Sequence, residues 1–250
     1  MEKIVDRINV AEQDIGKAEL LSIIVSELED LDISHIICLA LGSPESSSAA
    51  RYQLALLKKL VEAFKISPSK VFLYDPVFTD TDKQVITSLG YLLESLESAV
   101  KSCSEEPSTS NEQSEKTEIN AKDKTTSRTL YFLPHASLEL TEEVLSRYHA
   151  RYLLANDAIA HTDRLTTRKL YDNYRTLSYL VSLTEQSSVD TQFQTVKKKR
   201  RQKANVFVEP KLDFSADNMY FNSTTIKRLP TEGPWGNAFT DLALHKLDYK

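Results

Sequence analysis

Between residues 36 and 82 an apolar run, a single-glycine turn, an amphipathic stretch and a second apolar run closed by an acid follow one another. The first run, Ile36-Ile37-Cys38-Leu39-Ala40-Leu41, is unbroken, as expected of a strand covered on both faces. Gly42-Ser43-Pro44 turns the chain, and Ser46, Ser47 or Ser48 can cap the helix that begins near Ala49. In that helix Ala50, Leu54, Leu57 and Val61 form one stripe, with Lys58, Lys59 and Glu62 outside it. Val71 to Tyr74 makes the second strand, followed by Asp75-Pro76, Thr79 and Asp82. Two strands joined through a helix form a parallel pair. The polar residues therefore gather at the strand ends, where open α/β sheets bind their ligands.

The alternation continues on both sides of this unit. Residues from about Glu12 to Leu31 read as one helix, Lys83 to Leu89 as a short one, and Gly90 to Leu93 as a weak third strand. Thr129 to Leu133 is a fourth strand ending at Pro134-His135. Thr141 to Tyr148 is helical, and Tyr152 to Ala155 is a fifth strand ending at Asn156-Asp157. A long helix follows, with Leu170, Tyr174, Leu177 and Val181 on one face. Ser223 to Leu229 and Phe239 to Leu247 are short strand candidates around a loop marked by Pro230, Gly233, Pro234 and Gly236. The pattern predicts a three-layer, mainly parallel α/β sheet with helices on both faces and antiparallel strands added at the C-terminal end. All 250 residues fit one such domain.

Two stretches depart from it. From 101 to 128 Ser, Thr, Glu, Lys and Asn dominate and aromatic residues are missing, which predicts a disordered insertion beginning near Cys103. Residues 184–203 form a second polar segment carrying Lys197-Lys198-Lys199-Arg200-Arg201. That run has the composition of a nuclear import signal and equally that of a solvated linker. A formal net charge of -5 gives no global pull toward nucleic acid or anionic membrane. Two cysteines, one inside a strand, suit reduced thiols in cytoplasm or nucleus. The N-terminal residues lack an apolar signal core, and no stretch approaches a membrane span. These features predict a soluble chain of cytoplasm and nucleus, with protein partners rather than nucleic acid or membrane.

The chemistry-bearing residues concentrate at the strand ends. One glycine, Gly42, stands where a dinucleotide fingerprint has three, so no cofactor is named. Free N–H groups at the start of the helix, next to Ser43, could receive an anion, or the helix could be a capped crossover with no ligand. Arg51 near that helix start opposes the macrodipole and calls for an anion: Asp75, Asp82, or a bound phosphate or carboxylate. Asp75 also sits where Rossmann-like proteins hold a ribose. His135 and His245 could serve as general acid or base, or as ordinary hydrogen-bonded loop residues. Metal-ligand spacing of the His-Glu-x-x-His kind is absent, as are nucleophile-elbow and phosphate-loop motifs.

Several of these blocks resemble the Sensitivity to Red Light Reduced (SRR-like) domain. They are Leu41-Gly42-Ser43-Pro44, Ala50-Arg51-Tyr52-Gln53-Leu54, Tyr74-Asp75-Pro76-Val77-Phe78-Thr79 with Asp82, Leu133-Pro134-His135, and Phe239-Thr240-Asp241-Leu242-Ala243-Leu244-His245. The resemblance runs in order from about Ile36 to Leu247. It implies a Rossmann-like regulatory protein, linked in plants to light signalling and circadian timing, in animals to clock-gene and haem regulation, and in fungi to microtubule-related processes. The family brings no established catalytic activity. Its Cys after the Pro-His pair is Ala136 here, its Asn-Trp pair is Tyr148-His149, and its Gly-Asn-Ser-Phe turn is Ala155-Asn156-Asp157-Ala158. A small anionic or nucleotide ligand would accordingly meet Gly42, Ser43, Arg51, Gln53, Asp75, Thr79, Asp82, His135, Asn156, Asp241 and His245. The alternative is an enzyme using a nucleotide-containing cofactor, such as an S-adenosylmethionine-dependent methyltransferase, with Asp75 on a ribose and a histidine moving a proton.

Overall fold

The computed structural model describes residues 2–104, 128–188, 212–214 and 217–249. Seven strands make one sheet: β1 (His35–Leu39), β2 (Val71–Tyr74), β3 (Leu92–Leu93), β4 (Thr129–Leu133), β5 (Tyr152–Asn156), β6 (Phe221–Arg228) and β7 (Leu242–Tyr249). Their order is β3-β2-β1-β4-β5-β7-β6. The first five are parallel, and β7 runs antiparallel to both β5 and β6. The chain is thus a three-layer Rossmann-like α/β protein whose order reverses beside β1.

Period-two alternation sorts the sheet residues between two apolar layers. Ile36, Cys38, Val71, Leu73, Leu130 and Phe132 face one layer, formed with α1 (Glu2–Ile15), α2 (Glu19–Leu28), α3 (Ser48–Ala63) and α4 (Asp80–Ser88). Ile37, Leu39, Phe72, Tyr131, Leu133 and Leu153 face the other. That layer is completed by α5 (Leu96–Ser104), α6 (Leu138–Tyr148), α7 (Ala158–Thr162), α8 (Thr167–Asn173) and α9 (Arg175–Ser188). Both faces being covered explains why the strands read as continuous apolar runs.

Several boundaries differ from the sequence expectation. The helix expected over Glu12–Leu31 is two helices, because the chain breaks at Gly16–Ala18, where Ala18 is extended (φ -81°, ψ 138°). Helix α1 begins ten residues before the expected start, its Ile4, Ile8, Ala11 and Ile15 forming a buried stripe. The first strand ends at Leu39, since Ala40 and Gly42 both take positive φ (54° and 77°) and turn the chain out of the sheet. The long helix through Leu170 and Val181 is broken at Tyr174 (φ -136°, ψ 73°) into α8 and α9. The last strand starts at Leu242, and Phe239 instead fills the core edge-on to Trp235.

The polar segment expected from 101 onward starts later. Helix α5 continues to Ser104 and buries Cys103 against Ala99 and its neighbours. Likewise α9 extends into the expected 184–203 linker, as far as Ser188. The rest of both segments, including Lys197 to Arg201, lies outside the described residues.

Candidate functional site

The parallel strands deliver their C-terminal ends to one edge, and the polar residues there divide into two groups. The first group ties the loops together. After β2, the Asp75 carboxylate accepts from the Gly42 N–H (Oδ2, 2.8 Å) and from the Val77 N–H (Oδ1, 3.0 Å). Asp82 is fully buried, and its Oδ1 accepts from the Glu45 N–H (2.8 Å) while Oδ2 accepts from the Thr79 N–H (3.0 Å). Thr79 closes a capping box on α4 by accepting from the Asp82 N–H, and its hydroxyl donates to Glu45 Oε2 (2.6 Å). Ser43 accepts from the Ser46 N–H, and Ser47 caps α3 by accepting from the Ala50 N–H.

These bonds bear on the anion expected at the start of α3. The loop N–H groups of Gly42, Glu45 and Ser46 already have acceptors, and two carboxylates supply negative charge nearby. Arg51 braces neither Asp75 nor Asp82. Its Nη1 donates to the carbonyls of Pro44 (2.8 Å) and Glu45 (3.4 Å), clamping the same loop from the helix side. Partial burial, with Arg7 close by, lowers the guanidinium pKa from its ordinary value.

The second group opens outward. A cleft of about 610 Å³ lies at the ends of β1, β2 and β4, between α5 and α6. Tyr74 and Val77 line its β2 side and are 48% and 57% exposed, two of only four large apolar side chains so exposed among the described residues. Leu140 and Tyr148 of α6 line the opposite wall together with the charged Glu143 and Arg147, and Asp75 and His135 supply polar groups from the strand ends. Gly42 and Ala40 reach it through backbone in the left-handed region. For Ala40 that conformation is strained, and such strain gathers at ligand sites.

His135 rises from the end of β4 into the cleft, and its Nε2 lies 2.7 Å from the Nε2 of Gln53. Gln53, fully buried on α3, also donates to the Ala238 carbonyl (2.9 Å), while its Oε1 has no partner. The sheet edge thus joins Gly42, Asp75 and His135 in one cleft, with Gln53 behind. Ser43, Thr79 and Asp82 belong to the loop latch.

The remaining candidates lie elsewhere. His245 stands opposite Leu153 in the β5–β7 pair, buried, with Nε2 accepting from the Ala158 N–H (3.2 Å) and no partner for Nδ1. Burial pushes its pKa down to about 4 against the pull of Asp157. With β2 and β7 four strands apart, strand spacing separates His245 from Asp75 by roughly 19 Å. His245 therefore does not join the Asp75 cluster. Asp157 caps α7 and pairs with Arg228, and its N–H donates to the Asp241 carbonyl (2.6 Å). Asn156 ends β5 with its Oδ1 unpartnered. Among the described residues no group of three or more His, Cys, Asp or Glu could hold a metal ion. Burial raises the Cys38 thiol pKa well above its ordinary value, which leaves it a poor nucleophile.

The sequence reading missed the apolar walls. Tyr74 and Val77 lie in one of the SRR-like blocks and Tyr148 at a departure from the family pattern, but only the polar residues of those blocks were read as a site. The available signal was an apolar pair, Tyr74 and Val77, flanking the strand-ending Asp75-Pro76 where a strand leaves the core.

Comparison with known proteins follows the same blocks. The model of the SRR1 domain matches residues 11–246. The chain belongs to the SRR1-domain family. It is 28% identical over 150 residues to an SRR1-like protein of Mus musculus, covering 56% of this chain and 52% of that protein. The chain thus matches about half the length of that curated relative. No solved structure matches it.

Proposed function

We propose that this SRR1-family chain is a regulatory protein that works through protein partners in cytoplasm and nucleus and binds a small nucleotide-containing or anionic ligand in the cleft. The observation that carries the ligand reading is the cleft of about 610 Å³, largely apolar on its walls, with Asp75 and His135 converging on it. A concave, largely apolar site with a few placed polar groups at a topological switch point is the usual setting of a small-molecule site. Tyr74 and Tyr148 offer ring faces for a planar base. Each Asp75 oxygen already accepts one backbone N–H and keeps capacity for a second donor, such as a ribose hydroxyl. The processes attached to the family by resemblance, light and circadian timing, haem regulation and microtubule-related events, are the settings in which such a ligand-responsive protein would act.

A second reading is favoured by the sheet order. A reversed β7 inserted between β5 and β6 gives 3-2-1-4-5-7-6, an order on which many S-adenosylmethionine-dependent methyltransferases are built. Fold alone does not assign an activity. In that reading Asp75 would hold the ribose and His135 would be the side chain able to move a proton.

The test is a thermal-shift panel of nucleotides, S-adenosylmethionine and phosphorylated metabolites. A ligand at about 100 times its dissociation constant stabilises by ~2.7 kcal/mol, an easily measured rise in melting temperature. Silence across the panel, with protein partners still captured, removes both ligand readings and leaves a partner-binding regulator. Methyl transfer from S-adenosylmethionine to any acceptor would move the second reading ahead of the first.

A further inference from the structure

We propose that Gln53 is a positioning residue that holds His135 as the Nδ1–H tautomer, so that the cleft presents a fixed hydrogen-bond donor at the end of β4. The proposal rests on the cleft being the ligand site, and it names one feature that the ligand must carry.

The argument starts from the Gln53 amide. Its nitrogen lies 2.9 Å from the Ala238 carbonyl oxygen and 2.7 Å from His135 Nε2. A carbonyl oxygen can only accept, so the atom facing Ala238 must be the NH₂ group; the reversed amide would set two lone-pair-bearing oxygens against each other. That NH₂ has two hydrogens, and the two bonds use both. The nitrogen facing His135 is therefore a donor, and His135 Nε2 must accept. A neutral imidazole that accepts at Nε2 carries its proton at Nδ1.

Burial makes this arrangement firm. Gln53 is 0% exposed on α3, a helix that also buries Leu54, Leu56 and Leu57, so its amide is out of reach of bulk solvent. Its Oε1 is buried without a partner, which costs stability in a purely structural residue. A leucine at this position would fill the space without that cost. The amide is instead spent on reaching across 82 residues of sequence to an exposed histidine. His135 itself lines the cleft, and no described residue bonds to its Nδ1. The open ring edge thus carries a donor whose identity is fixed from behind.

The consequence is a selectivity rule. Asp75, on the β2 side, offers only acceptor oxygens, and His135, on the β4 side, offers an N–H. A ligand that spans them presents a hydroxyl or amine toward Asp75 and an acceptor oxygen or nitrogen toward His135. Adenosine 5′-monophosphate can do both through its ribose and either its phosphate or its ring nitrogens.

The experiment reads the tautomer directly. Long-range ¹H–¹⁵N correlation spectra of the histidine-labelled 250-residue chain, recorded above neutral pH, distinguish a protonated ring nitrogen from an unprotonated one. His135→Asn assigns the signals. The expected result is Nδ1 protonated and Nε2 unprotonated in the unsubstituted protein. In Gln53→Leu and Gln53→Met the donor is gone, and the ring should revert to the Nε2–H form that a free histidine side chain prefers in water. Either variant suffices if the other fails to fold. An Nε2–H ring in the unsubstituted protein, or an Nδ1–H ring that survives both substitutions, overturns the proposal. A parallel titration with adenosine 5′-monophosphate should show binding weakened about tenfold in Gln53→Leu. No binding to either protein, with the tautomer as stated, counts against the nucleotide reading of the cleft and leaves the role of Gln53 intact.

Discussion

Two stretches of the same sheet edge carry polar side chains of similar kinds and use them in opposite ways. In the β1–α3 and β2–α4 loops, Asp75, Asp82, Ser43, Thr79 and Arg51 all bond to backbone or to each other. A few residues away, His135 and the rings of Tyr74 and Tyr148 face a cleft. The latch satisfies the Gly42, Glu45 and Ser46 N–H groups, which a bare loop would leave to water or to a ligand. The cleft keeps its groups unpaired on one side. Asp75 belongs to both, which makes it the joint between them. At a strand end, what a polar residue does is decided by whether the neighbouring loop supplies its partner.

The comparison can be broken most severely at the latch. Asp82→Ala strands the Glu45 and Thr79 N–H groups beside a buried hole and removes half of a capping box. A loss of roughly 3 kcal/mol in urea unfolding is expected; a loss under about 1 kcal/mol would mean that the latch is idle. Next comes the buried histidine far from the cleft. Well above pH 6.5 His245 is neutral in both folded and unfolded chains, so its contribution to stability there is complete. As pH falls from 6.5 toward about 4, the unfolded chain binds a proton that the folded one refuses. Stability is lost across that window, by about 3 kcal/mol at most. Urea unfolding at a series of pH values should show this slope, and His245→Leu should flatten it. Arg51→Ala removes two bonds to loop carbonyls at a half-exposed site, and a cost of about 1 kcal/mol is expected, with the melting temperature as readout.

How much of this was legible in the sequence depends on what a residue's partner is. The mainly parallel sheet and the collection of Gly42, Asp75 and His135 at strand ends follow from apolar runs and their polar ends, which are local; the strand order does not. The separation of latch from cleft does not. Asp75 and Asp82 reach N–H groups 33 and 37 residues away, and no spacing rule encodes whether a carboxylate finds a backbone donor or a ligand. His245 reads as a polar residue near a strand end, but β7 continues to Tyr249 and places it in mid-strand beneath α7. Most of helix α1 was missed, although Ile4, Ile8, Ala11 and Ile15 keep helical spacing. The break at Gly16–Ala18 had a signal in Gly16 that the helical periodicity overrode, whereas the break at Tyr174 came from the backbone conformation of a residue that periodicity counts as helical.

The most direct test of the account sets the two regions against each other with one ligand. The protein, Val77→Arg and Arg51→Ala are taken through the same thermal-shift panel. Val77→Arg places a long cation at the exposed cleft rim, whereas Arg51→Ala alters only the latch. The account predicts a ligand-induced rise in melting temperature for the unsubstituted protein and for Arg51→Ala, lost in Val77→Arg. A rise that disappears in Arg51→Ala and persists in Val77→Arg would place the ligand at the α3 start and contradict it.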